Sequence, residues 1–308
     1  MSSDPSELQQ WHVKEPYLHL HCALSEGPYY EAETNSLRFV DIKKHRVHWV
    51  QLDRGPASAT TVQLDAPVTV TADIQGVDPR ERILVGVKRG IAVLDRATAT
   101  YEYVARFATP DHERLRSNDG AADPHGRFWL GSMTDIGLDL RAEGHLHLFS
   151  NGRDVAQSVR HPVTIPNAIS WSPDQKTMYF THSTERTVYA WDYAAEDGSL
   201  SRERVFYRHE GPGEPDGCRV DTDGNLWHAV YGESRVLKIS PEGKLIGQIN
   251  LPTHNITCTQ FVGTELFITT AAMEKGDGPD EAVELGGAIF KVDVGARGLK
   301  PFPFKLHT

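Results

Sequence analysis

The chain has 308 residues, enough for one large domain or two ordinary ones, and either could bury a substantial core. Its 42 acidic against 32 basic residues leave a formal net charge of −10. That balance argues against nucleic acid or an anionic membrane surface as a partner and suits a soluble protein that holds a cation.

Residues 1–15 read as a flexible tail and 16–308 as a single domain. The tail begins with the polar run Met1-Ser2-Ser3-Asp4-Pro5-Ser6-Glu7, which lacks the basic-then-apolar order of a secretory signal. No apolar run in the chain approaches the roughly 20 residues of a membrane helix. Pro16 to Cys22 then alternates like a strand. Short alternating runs broken by Asn, Gly, Asp and Pro continue to the C-terminus, and no segment shows a 3.6-residue apolar period. The chain is predicted to be all-β. Cys22, Cys218 and Cys258 cannot form a fully paired framework and none lies in a C-x-x-C pair. They read as buried small residues of a reduced, cytoplasmic protein.

The strands come in groups. Six units open at Glu26-Gly27-Pro28, Ala72-Asp73-Ile74, Asn118-Asp119-Gly120, Pro166-Asn167-Ala168, Pro215-Asp216-Gly217 and Ile256-Thr257-Cys258. They recur at roughly 40–50 residues, the period of a four-stranded propeller blade. Second and third strands follow each opening in register. Unit six ends near Val294 without a fourth strand, so the strand before unit one is predicted to supply it and close a six-bladed β-propeller. The longer inserts Thr134 to Glu143 and Met273 to Gly286 are candidate rim loops. Trp49, Trp129, Trp171, Trp191 and Trp227 recur in or beside strands and read as blade packing.

The first strand of each blade lies nearest the propeller axis, so residues at the same end of several first strands converge. Glu26, Asn118, Asn167 and Asp216 stand at matching positions in blades one, three, four and five. Singly, Pro-Asp-Gly or Asn-Asp-Gly is only a turn. Together, two carboxylates and two amides at one channel mouth make the oxygen-rich, negative site that hard divalent cations prefer. Calcium is favoured, and zinc, magnesium or manganese would also be accepted. Asp221-Thr222-Asp223-Gly224-Asn225 begins like a calcium loop but lacks the distal Glu, and reads as a hairpin turn. There is no Walker loop, nucleophile elbow or Rossmann fingerprint.

Four motifs carry a family resemblance across about residues 20 to 298. They are Ser25-Glu26-Gly27-Pro28; Arg116-Ser117-Asn118-Asp119-Gly120 with Asp123-Pro124-His125-Gly126-Arg127-Phe128; Pro166-Asn167-Ala168-Ile169-Ser170-Trp171-Ser172-Pro173-Asp174; and Pro215-Asp216-Gly217-Cys218. The chain resembles the gluconolactonase and senescence marker protein (regucalcin) family, six-bladed metal-dependent sugar lactonases. The resemblance implies that Glu26, Asn167 and Asp216 bind the metal, that Arg116 and Asn118 contact substrate, and that Asp216 is also the base. The expected activity is hydrolysis of a sugar lactone, such as gluconolactone, to its hydroxy acid. A divalent ion polarises the carbonyl and a carboxylate beside it activates water.

Two positions depart from the family pattern: His182 stands where many members carry Asp, and Ile136 where animal members carry a carboxylate, with Asp135 one step short. His182, His228 and Asp135 are therefore candidate supporting or substrate-contacting residues. Two rival readings stand beside the lactonase: a metal-dependent hydrolase of another lactone or organophosphate ester, and a non-catalytic binding propeller with a structural ion.

Overall fold

In the computed structural model, residues 8–108, 113–150 and 154–306 are described. They form six antiparallel sheets whose innermost strands contact one another in cyclic order, a closed six-bladed β-propeller. The inner strands are Ser25–Glu31, Val68–Ala72, Leu115–Ala122, Pro166–Trp171, Glu214–Val220 and Ile256–Val262.

Period-two alternation explains how so many strands bury both faces. In blade five, Trp227 and Ala229 pack toward blade six, while Leu226 and Val230 on the same strand pack toward blade four. Phe128 and Leu130 of blade three likewise face blade two, and Trp129 between them faces blade four. The core is thus six apolar seams, each filled chiefly by the facing sides of two adjacent blades. The five tryptophans read as blade packing are all buried in these seams or beside them, at 0–5 % exposure.

Ring closure follows the expected plan. Leu18–His19 pairs antiparallel with Ala288–Asp293 as the outermost strand of blade six. Around the axis, side chains stitch neighbouring blades. The Thr69 and Ser117 hydroxyls bond at 2.8 Å, Thr257 Oγ1 donates to Ser25 O at 2.6 Å, and Thr259 Oγ1 donates to Trp227 O at 2.9 Å.

Two expectations need correction. Residues 1–7 of the predicted tail lie outside the described residues, but Gln9–His12 is a strand, paired in parallel with Gly247–Asn250 as a fifth strand of blade five. Trp11 anchors it, with its ring 5.2 Å from that of Trp227. This edge pairing leaves no strong alternation in so short a segment. Blade two opens earlier than predicted: its inner strand is Val68–Ala72, and Asp73 lies just beyond it, 3.2 Å from Arg38. A run of Val and Thr carries no turn residue to mark the strand's start.

Every inner strand shifts register against its neighbour. Such a bulge bends the strand and turns a side chain away from the pleat. Asn118, Asn167 and Asp216 sit in these bulges, and Thr69 and Thr257 fill the same place in blades two and six. Glu26 stands one residue ahead of its bulge at Gly27–Pro28. Gly27 has φ of +53°, a left-handed conformation that favours glycine. At Gly217 the need is space: an added Cβ would fall 2.3 Å from Cys258 Sγ.

The closing strand gives a stability test. Leu18 is 7 % exposed in the seam between blades six and one. Leu18→Ala is expected to cost about 2–3 kcal/mol, seen as a lower urea midpoint at unchanged slope. Leu8→Ala, at a 37 % exposed position, should stay within about 0.5 kcal/mol.

Candidate active site

The end of the propeller at which the inner strands begin holds a cavity of about 210 Å³. Glu26, Asn118, Asn167 and Asp216 all line it, and so does Arg116. The four residues predicted to converge from separate blades therefore meet. Each is buried, at 5–8 % exposure.

The amides are oriented by a chain of hydrogen bonds. Ser183 Oγ donates to Pro215 O at 2.6 Å, so it accepts from Asn167 Nδ2 at 2.9 Å. That turns Asn167 Oδ1 the other way, where it accepts from Asn118 Nδ2 at 2.9 Å and keeps a lone pair for another partner. Asn118 Nδ2 also reaches Pro166 O at 2.8 Å, and its Oδ1 accepts from Arg116 Nη1 at 2.8 Å. Asn118 is thus largely committed to its neighbours. Arg116 Nη1 also donates to Ser117 O at 2.7 Å, while Nε is buried without a partner. Burial lowers the Arg116 pKa to about 10, opposed by the negative charges of Asp135, Glu26 and Asp216.

The carboxylates are under electrostatic stress. Burial and then the charges of Glu26, Asp119 and Glu214 push Asp216 well above the usual carboxylate range. Glu26 is likewise raised, by burial and by Asp119, and partly relieved by the Gly27 amide and by Arg219. The two carboxyls line the same cavity, the Glu26 charge raises Asp216, and Asp216 Oδ1 is buried without a hydrogen-bond partner. Two buried, adjacent acids with an unsatisfied oxygen and an amide oxygen alongside are a donor set that a divalent cation would neutralise. The set mixes carboxylate with amide. Among the described residues, no three of His, Cys, Asp and Glu gather into a metal-binding group.

The remaining sequence-predicted residues stand apart from the cavity lining. His182 Nε2 accepts from the Thr164 amide at 2.9 Å, and Nδ1 lies 3.1 Å from Glu185 Oε1. His228 is bonded to Thr181 Oγ1 at 2.8 Å across the seam between blades four and five. Burial lowers its pKa to about 4, so it is a neutral packing residue. Both histidines are turned away by the strand alternation. Asp135 pairs with Lys88 at 2.6 Å and stands near Arg116 as a countercharge. Ile136 is 43 % exposed and does not line the cavity.

The structure adds residues that sequence reasoning missed. Ile42, Lys43, Met133, Ser183 and Tyr231 line the cavity, and each lies within two residues of the end of the second strand of its blade. That recurrence was a usable signal, because second-to-third strand turns lie at the same end of a blade as the start of its inner strand. The rim loops at 134–143 and 273–286 join the same pair of strands and so belong to this mouth. Glu214 also lines the cavity, and burial raises its carboxyl. The Asp221 turn is closed: its carboxylate accepts from Asn225 and from Trp227 Nε1 at 2.9 Å.

The raised carboxyls have a consequence for stability. Glu26 and Asp216 hold protons more tightly folded than unfolded. In chelator they therefore favour the fold below about pH 4, and that contribution is lost as pH rises through their raised values. The urea midpoint of metal-free protein is expected to fall across this window, with a shallower fall in Glu26→Gln. Identical slopes in the two proteins would refute the pairing.

Known proteins share this architecture and sequence. The SMP-30/Gluconolactonase/LRE-like region family matches residues 24–272. Regucalcin of Sus scrofa is 33 % identical, covering 92 % of this chain and 95 % of its own. The pentonolactonase of Haloferax volcanii is 30 % identical, covering 91 % of this chain and 94 % of its own. A luciferin-regenerating enzyme superposes with a TM-score of 0.84 at 29 % identity, over 93 % of this chain and 96 % of that one. With most of its length matched and its six blades in place, the chain belongs to the SMP-30/gluconolactonase/LRE-like family.

Proposed function

We propose that the protein is a divalent-metal-dependent hydrolase that opens a sugar lactone to its hydroxy acid. The observation that carries this reading is the buried pair of raised carboxyls, Glu26 and Asp216, with Asp216 Oδ1 unpartnered in a cavity that Asn167 and Arg116 also line. The kinship supports it, since a pentonolactonase and regucalcins are among the relatives.

Glu26 and Asp216 would hold the ion through carboxylate oxygens and Asn167 through Oδ1, with calcium the favoured ion among hard cations. The bound ion supplies Lewis acidity toward the lactone carbonyl and keeps the adjacent carboxylates ionised. Asp216 then takes a proton from water as the water oxygen bonds to the carbonyl carbon. When the ring C–O bond breaks, that proton passes to the departing ring oxygen, giving a hydroxyl and a carboxylic acid, and the acid then releases its remaining proton to solvent as it ionises. Arg116 offers its free Nε–H and remaining donors to substrate oxygens, while Asn118 sets the angle of both Arg116 and Asn167. The buried, unpaired cysteines suit a reducing, cytoplasmic setting.

Chelation should abolish acid release from a panel of aldonolactones, and restoring calcium, zinc, magnesium or manganese singly should recover it to different extents. Asp216→Asn should lower kcat by about 10²–10⁴-fold, the span of a lost general base. Activity that survives both treatments would sink the mechanism, and ion uptake without turnover of any lactone would point to a binding propeller. Arg116→Met is expected to raise KM more than it lowers kcat, as loss of a substrate-binding contact does.

A further inference from the structure

Glu26 and Asp216 lie on blades one and five, which do not adjoin; blade six stands between them. Their separation is therefore not set by any single sheet. A side chain inside the channel spans the gap. Arg219 follows Asp216 by three residues on the same inner strand and lines the channel below the cavity. Its Nη2 donates to Pro28 O at 2.9 Å, in the Gly27–Pro28 bulge that carries Glu26. Its Nη1 donates to Cys218 O at 2.8 Å, directly after the Asp216–Gly217 bulge. Its Nε donates to Gln260 Oε1 at 2.9 Å, on the inner strand of blade six. One planar guanidinium thus grips the two bulges that present the carboxylates and the blade between them. Through Pro28 O it ties blade five directly to blade one.

We propose that Arg219 is a positioning residue that fixes the Glu26–Asp216 separation for a divalent ion. This rests on the reading of those two residues, with Asn167, as the ligands. The rigid fork is the essential feature: lysine can place a charge in the channel, but it cannot direct three donors along fixed lines. The charge acts in the opposite direction. A cation near the ligands repels the ion, so a purely electrostatic Arg219 would weaken ion binding and its loss would strengthen it.

The opposed signs make the test decisive. Calcium, and separately manganese, is titrated calorimetrically into chelator-stripped full-length wild type, Arg219→Lys and Arg219→Met, with melts in chelator to confirm cooperative folding. Positioning requires weaker binding in both variants, by about 10–100-fold, the usual effect of losing a partner that orients metal ligands. Unchanged affinity in Arg219→Lys with tighter binding in Arg219→Met would overturn it and leave Arg219 a countercharge. If Arg219→Met does not fold, the lysine variant decides alone, because it keeps the stem and the charge. Wild-type protein that takes up neither ion would overturn the ligand set itself. Wild-type binding with unaltered variants would overturn only the role of Arg219.

Discussion

One extra residue in each inner strand is the constraint on which the site depends. A regular ladder would point alternate side chains into the two flanking seams and leave none aimed along the axis. The bulge breaks that alternation six times, at the same end of the ring. In blades two and six a threonine takes the place and stitches adjacent blades. In blades three, four and five the same place carries Asn118, Asn167 and Asp216. Ring closure and site construction therefore use one structural device, and the amides serve both ends: Asn118 bonds to Pro166 O while orienting Asn167. Glu26 is the exception, one residue out of step, with a side chain one methylene longer than that of Asp216.

The device comes with an electrostatic cost. Burying acids together is unfavourable unless a cation offsets them. Deeper in the channel Arg219 faces Asp119, and its charge relieves both Asp119 and Glu26. At the mouth Arg116 gives only partial compensation, and Asp216 is left with an unpartnered oxygen. A protein that merely needed a filled channel would have apolar or paired groups there. The uncompensated charge is what separates this mouth from the rest of the axis.

Much of this was legible in the residues. Residues that favour turns mark the bulges inside several inner strands, so the blade period could be counted from Pro-Asp-Gly, Pro-Asn-Ala and Asn-Asp-Gly. Blade two was counted but placed too late, at Ala72-Asp73-Ile74, because Val68–Ala72 has no such marker. His182 and His228 illustrate the opposite error. Their chemistry suggests a site, but each lies on a strand face that packs into its surroundings, and neither reaches the cavity. Composition could not distinguish a histidine facing the axis from one facing a seam.

The sequence by itself determined the fold class, the number of blades, the closing strand and the four residues that converge, because these follow from periodicity and from repetition along the chain. Tertiary structure alone decided what each of those residues can do. Whether an amide presents oxygen or nitrogen depends on Ser183 and Pro215, far away in sequence. Whether two acids lie side by side depends on how blade six spaces blades one and five. The role of Arg219 is visible only there too, since its partners Pro28, Cys218 and Gln260 belong to three different blades. Contacts of that kind are set by the closed ring, which no local pattern encodes.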